Sequence, residues 1–389
     1  MPFLSASRIY NGLGWLPEGA VIEVSGTGEI LSILPGPHPD AVFYEGILAP
    51  GFVNVHCHLE LSHMKGVVLE HTSLIPFLKT IPIHRNDFTD DQKKTARREA
   101  RQELIDNGVV AVGDIANTTD TLDVRALGGL HVHTFVESIG FTEANAPKSF
   151  SRSEATYNEF AAQQPADKIL RQSITPHAPY SVSSALFGLI SGHTADGLLS
   201  IHNQESPAED EFYISKQGAI RDLLQTLGVD DTPFIPTGRS SLQSYLPWIS
   251  PAHPMIFVHN TYSSPADIQF AQRRPGEAWW CLCPNANLYI ENTLPDIDTL
   301  LRETANICIG TDSLASNHQL CILSELYTIR QHYPNIGWET LLTWGTLNGA
   351  KALQMQDAIG TIEVGKKPGI VNISGLESNV EKPKVRCVL

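Results

Sequence analysis

GFVNVHCHLELSH, residues 51–63, begins as a plain apolar run and ends in three histidines and a glutamate. Side chains alternate along a strand, so His56 and His58 share one face, about 6.6 Å apart along the chain. Two imidazoles so placed either share a metal ion or are two satisfied core histidines. The rest of the chain has to decide between these.

Seven further runs repeat the pattern of a short apolar stretch closed by polar residues. They are GVVAVGD (108–114), HVHTFVE (131–137), ILRQSITPH (169–177), LLSIHNQE (198–205), MIFVHN (255–260), AWWCLCPN (278–285) and NICIGTD (306–312). Helix-compatible segments separate most of them, such as 89–108 and 211–228. Strand alternating with helix implies parallel α/β architecture, and eight such units imply a (β/α)8 barrel. Such barrels build their sites at the C-terminal ends of the strands. His56, His58, His177, His202, His259 and Asp312 all fall at those ends. Closure of the barrel brings them to one mouth, a phase that scattered structural histidines have no reason to keep. His131 and His133 are also two apart, but they begin their run, face the opposite end and are read as non-ligands.

The flanks read differently. AVIEVSGTGEILSIL near the start and AIGTIEVGKKPGIVNI near the end are Gly-punctuated strand pairs. Neither buries enough to stand alone. Residues 1–47 and 356–389 are therefore expected to form one small composite β-sandwich beside a barrel of residues 48–355. The Pro/Ser-rich stretch 234–254 is expected as a loop at the mouth.

The composition, 42% apolar and 18% charged over 389 residues, is that of a buried globular enzyme. A net charge of −15 disfavours nucleic acid and anionic membrane as partners. The start MPFLSASRIYNG has no cationic, then apolar, leader pattern. The six cysteines include no CxxC pair, and reduced thiols and the cytoplasm are expected.

Taken in order, LAPGFVNVHCHLELS, TPHAPYSVS, IHNQES, FVHNT, CPNANLYI, GTDSLASN and TLNGAKAL resemble the amidohydrolase superfamily. The branch is that of chlorohydrolases (the ATZ/TRZ-like group), guanine deaminases and adenosine-type deaminases. The resemblance covers nearly the whole chain. It implies His56, His58, His202 and Asp312 as metal ligands, three nitrogens and one oxygen suited to Zn2+ or, second, Fe2+. Two-metal members carry a bridging lysine at the end of the fourth strand. ILRQSITPH has none, so one divalent ion is implied. The acidic residue usual after the C-terminal Gly-Lys segment is replaced by Gly369, for which a structural consequence alone is expected.

The catalytic set implied is Glu205 as proton donor, His259 orienting the attacking water, and Asp312 as both ligand and proton acceptor. His177, Glu60, Ser62 and Tyr180 are expected to meet substrate. Phe77, Trp279 and Trp280 are further stacking candidates. Asp114 and Glu137 stand at the right end of their strands with no motif to give them a role.

HLELS and HNQES resemble aminodeoxyfutalosine deaminase-like members, which act on the futalosine route to menaquinone. That resemblance implies hydrolytic deamination of a 6-aminopurine nucleoside whose aromatic carboxylate would need a cation, Arg85 or Arg152. Methylthioadenosine, S-adenosylhomocysteine or adenosine is the nearest alternative substrate. Guanine deamination, triazine dechlorination and other C–N hydrolysis come after these. A metal-free scaffold is the reading from another class, and a homodimer is in keeping with the branch.

Overall fold

The computed structural model describes residues 2–163, 168–194, 196–304, 306–376 and 382–389. The chain starts on a sheet outside the barrel: β1 Phe3–Ile9, β2 Val21–Val24, β3 Ile30–Leu34 and β4 Ala41–Pro50. The barrel strands follow as β5 Phe52–Cys57, β6 Val109–Ala116, β7 His131–Ser138, β8 Leu170–Pro176, β9 Leu199–Asn203, β10 Met255–His259, β11 Ala278–Leu282 and β12 Ile307–Ile309. The chain then returns to the first sheet with β13 Ile370–Ser374 and β14 Lys384–Cys387.

Hydrogen bonding orders β5 to β8 as one four-stranded parallel sheet and β9 to β12 as another. The two halves meet at both edges. At one seam Ser200 N–H donates to Thr175 Oγ1 at 2.7 Å and His202 N–H to the His177 carbonyl at 3.0 Å. At the other, Thr311 and Asp312 N–H both donate to the His56 carbonyl at 3.0 Å. Gly310 permits that second approach, because a Cβ there would stand 2.8 Å from His56 Cβ and from His56 O. The result is an α/β architecture of two four-stranded parallel sheets joined by these contacts at both edges, in the chain order expected from the eight runs.

Side-chain alternation splits the apolar residues into two sets. Val53, Val55, Ile256, Val258 and Trp279 form one cluster, whereas Phe52, Phe257 and Trp280 join the larger cluster packed under the helices. The pairing of β5 with β6 slips between Asn54 and Cys57. Such an irregularity resets alternation next to a functional end.

The flanks pair in the order β14-β13-β4-β1-β2-β3. The composite unit is one continuous mixed sheet rather than two separate ones, because β4 pairs with β1 on one edge and β13 on the other. Leu4, Ile22, Val24, Leu48 and Ile370 bury against one another within it. Gly369 lies at the start of β13 with φ 65°, and an added Cβ would meet Val110 Cγ1 at 2.6 Å. A left-handed backbone against a barrel strand is a place for glycine.

Local chemistry sets the helix limits. Asp90–Asp106 starts on a capping box between Thr89 and Gln92, has Asp90 and Asp91 in its first turn, and buries Arg97, Ala100 and Leu104. The helix expected over 211–228 is two, Pro207–Ser215 and Ala219–Thr226, broken where Lys216 turns left-handed at φ 57°. The stretch 234–254 is no open loop at the mouth. It forms the helix Ser241–Tyr245 and a 3-10 turn Leu246–Trp248, with Leu242, Tyr245 and Leu246 in the main core. Among the described residues no helix is long and apolar enough to cross a membrane.

Candidate active site

β5 ends at Cys57, one residue before His58, whose ψ of 84° takes it out of the pleat. The two imidazoles therefore converge instead of standing a strand-repeat apart. His58 Nε2 lies 3.2 Å from His56 Nε2 and 3.2 Å from His202 Nε2. Asp312 Oδ1 lies 3.5 Å from His56 Nε2 and 3.4 Å from His58 Nε2. The four residues come from β5, the turn after it, β9 and the turn after β12, and all are buried.

Protonation follows from the partners. His202 Nδ1 is 2.9 Å from the His177 carbonyl oxygen, which can only accept, so Nδ1 carries the proton and Nε2 is left a bare lone pair. Burial lowers the His58 pKa to about 3 and holds His202 well below the usual range. Burial pushes Asp312 the other way, but His56, His58 and His259 overcome it and hold the carboxylate well below its usual range. Asp312 Oδ2 also accepts from Ser316 Oγ at 2.6 Å. Neutral imidazole nitrogens packed this tightly around an ionised carboxylate repel one another unless a cation lies among them. The donor set fits one divalent metal ion.

His259 ends β10 with φ 73°, a left-handed backbone that few residues other than glycine adopt. Its Nε2 stands 3.6 Å from Glu205 Oε1. Burial lowers the His259 pKa to about 4. Burial first, then Asp312, Glu209 and Glu291, raise Glu205 well above the usual carboxylate range. Burial thus favours the neutral form of both members of the pair.

These groups open onto a cavity of about 230 Å3. Its walls include His58, Glu60, His177, Tyr180, His202, Glu205, His259 and Asp312, with Leu74, Phe77, Leu78, Ile81 and Pro82 of the helix Leu74–His84. Arg85 closes that side, 3.6 Å from Glu60 Oε1. His177 Nδ1 meets Ser181 Oγ at 2.8 Å. Four expected contacts fall elsewhere. Ser62 turns its hydroxyl inward to donate to the Leu59 carbonyl at 2.7 Å. Trp279 and Trp280 are core residues, Trp280 against Phe257 at a ring-centroid distance of 5.0 Å. Arg152 is exposed on the helix Ala146–Ala161 and does not line the cavity. His131 Nδ1 accepts from Ile169 N–H at 2.9 Å and His133 Nε2 meets Ser173 Oγ at 3.0 Å, both at the far end of their strand.

Glu137 and Asn117, to which no spacing or motif gives a part, also line the cavity. Glu137 Oε1 is 3.4 Å from His202 Nδ1, and Asn117 Nδ2 bridges Glu137 Oε2 at 2.9 Å and Glu60 Oε1 at 3.1 Å. The place of Glu137 at a strand end was the available signal for it. Asn117 sits in a turn after β6, where no spacing marks it.

Residues 47–386 match the amidohydrolase family, and the chain belongs to it. It is a hydrolase of carbon–nitrogen bonds other than peptide bonds, which sets aside the scaffold alternative. An adenosine deaminase of Helicobacter pylori is 26% identical over 367 residues, covering 92% of this chain and 86% of that one. An aminodeoxyfutalosine deaminase of Nitratiruptor is 27% identical over 331 residues, covering 82% and 77%. In fold, the chain is similar to Helicobacter pylori aminofutalosine deaminase solved with methylthio-coformycin, at TM-score 0.83 and 22% identity, covering 96% of this chain and 92% of that one.

Proposed function

We propose that the protein is a metal-dependent hydrolytic deaminase of adenosine-like nucleosides, and that its substrate is aminodeoxyfutalosine. The observation that carries the reading is the buried Glu205–His259 pair, 3.6 Å apart, facing the same cavity as the four-residue donor cluster. The relatives named adenosine deaminase and aminodeoxyfutalosine deaminase support it.

The reaction consumes one water and releases one ammonia. Glu205, protonated in its buried setting, donates its proton to ring nitrogen N1, which makes C6 electron-poor. Water adds its oxygen to C6 while His259 orients it and Asp312 takes its proton. The C6–N6 bond then breaks. The proton held by Asp312 reaches the departing amine, the proton still on the C6 oxygen passes to the Glu205 carboxylate and restores the acid, the N1 proton stays on the ring, and a ring carbonyl remains. A divalent ion bound by His56, His58, His202 and Asp312, which we assign as Zn2+ with Fe2+ as the alternative, would lower the pKa of bound water to about 7. Tyr180 and Phe77 offer faces to the purine. Arg85 is the residue we assign to the distal carboxylate, in preference to Arg152, because it lines the cavity. Such a substrate places the enzyme in cytoplasmic menaquinone biosynthesis.

Deamination of adenosine or methylthioadenosine is the second reading. It draws on Glu60, which already balances the Arg85 charge from 3.6 Å.

Ammonia release from aminodeoxyfutalosine, adenosine, methylthioadenosine, S-adenosylhomocysteine and guanine tests the proposal and ranks the substrates. Glu205→Gln is expected to keep its metal and lose about 10²- to 10⁴-fold in turnover. Near-normal turnover would remove Glu205 from the mechanism. His202→Ala is expected to lose the metal, and a wild-type metal content would refute its part as ligand.

A further inference from the structure

Among the described residues the Glu205 carboxyl has no hydrogen-bond partner, and its ion-pair neighbour His259 stands off at 3.6 Å. An acid that has to give up a proton to substrate cannot be clamped by its own hydrogen bonds. Its aim must come from the backbone that carries it. The residue before it, Gln204, is wholly buried and left-handed, with φ 46°.

Gln204 uses every polar atom it has. Its N–H donates to Glu209 Oε1 at 2.9 Å, and its carbonyl accepts from Tyr262 N–H at 3.0 Å. Its Nε2 donates to Asp267 Oδ2 at 3.1 Å and faces both Asp210 oxygens at 3.3 Å. Its Oε1 accepts from Ser263 Oγ at 2.7 Å and from Asn203 Nδ2 at 3.4 Å. Asn203 in turn donates to Asn260 Oδ1 at 3.0 Å, and Asn260 N–H donates to the Asn203 carbonyl at 3.0 Å. The end of β9, which carries Glu205, is thereby tied to the end of β10, which carries His259.

We infer that Gln204, gripped by Glu209, is the positioning residue that holds a strained turn and so sets the reach of Glu205 toward His259 and the substrate. Strain of this kind persists where the surroundings over-determine it, and here six partners do so. The amide is required because a carboxylate would face Asp210 and Asp267, and a short side chain would leave both without this donor. The inference rests on the acid role proposed for Glu205.

The test uses the metal-loaded enzyme and four variants: Gln204→Ala, Gln204→Glu, Glu209→Gln and Glu209→Ala. Both Gln204 variants are expected to lose about 10²-fold in kcat, the scale of a 1 Å misplacement, with KM and metal content unchanged. Glu209→Gln keeps an acceptor oxygen for Gln204 N–H and is expected to match wild type, whereas Glu209→Ala falls in kcat. A crystal structure of Gln204→Ala is expected to show the Glu205 carboxyl moved away from His259. Wild-type kcat in Gln204→Ala, or an unmoved Glu205, would overturn the inference. Should the Gln204 variants fail to fold, the Glu209 pair decides, because equal kcat in both would refute it. If the wild type deaminates no nucleoside, the proposed function fails, and the crystal structure still decides the positioning.

Discussion

Replacing Glu137 by alanine measures how far the hold on the metal extends beyond the atoms that face it. Glu137 Oε1 lies 3.4 Å from His202 Nδ1, while the His177 carbonyl oxygen lies closer, at 2.9 Å. The carbonyl alone can fix the tautomer, so alanine at 137 leaves Nε2 available. What Glu137 adds is negative charge behind the ring, which makes Nε2 a better donor. Losing such a partner costs about 10- to 100-fold in metal affinity. With the carbonyl bond intact the expected loss is about 10-fold, or about 1.4 kcal/mol. Burial, with Glu60 and Asp312 close by, pushes the Glu137 carboxyl up to about 8. Its charge develops as pH rises through that value, so the gap between variant and wild type should widen between neutral and mildly alkaline pH. Competition for Zn2+ against a chromophoric chelator gives the affinities directly. Equal affinities at both pH values would refute the argument. A loss far beyond the hundredfold ceiling would also refute it, by making Glu137 a ligand, since Glu137, His177 and His202 also present donor atoms within 4.8 Å of one another.

Arg85→Met is expected to raise KM for a nucleoside with a distal carboxylate by about 10- to 100-fold, the worth of a hydrogen bond to a charged group. KM for adenosine should stay as it is, and an equal rise for both would deny Arg85 its assignment. Burial, opposed by the Ser241 hydroxyl, raises the Glu209 carboxyl to about 8, with Asp210 and Asp267 adding to the rise. The folded protein keeps that proton after the unfolded chain has lost it, so wild-type stability falls as pH climbs from about 4.5 to 8. Glu209→Gln lacks this loss, and its melting temperature relative to wild type should rise over the same window; a flat difference would contradict the shift. Trp280→Ala is expected to cost about 3–5 kcal/mol in denaturant unfolding without changing KM, because the ring packs in the core against Phe257. A change in KM with stability intact would restore it as a substrate contact.

The barrel was legible because parallel strands covered on both faces read as apolar runs, and because His56, His202, His259 and Asp312 all close such runs. The convergence of His56 and His58 to 3.2 Å was not legible, since it depends on β5 ending one residue early. Composition misled at 234–254, where prolines and serines masked the buried Leu242, Tyr245 and Leu246. At Trp279 and Trp280 the commoner use of a strand aromatic holds, since both rings fill the barrel and do not line the cavity. Ser62 shows the same limit at shorter range: its hydroxyl found the Leu59 carbonyl three residues back. The link from Glu137 through Asn117 to Glu60 joins three separate chain segments, and no periodicity connects them.

The seams of the barrel have a consequence for how the molecule comes together. His56 and His58 belong to the half built from β5 to β8, and His202 and Asp312 to the half built from β9 to β12. Neither half owns a complete donor set. A polypeptide severed between β8 and β9 would yield two inert fragments, and recovery of zinc uptake on mixing them would report their reassembly. An ion held by all four residues would act as a rivet across both joints.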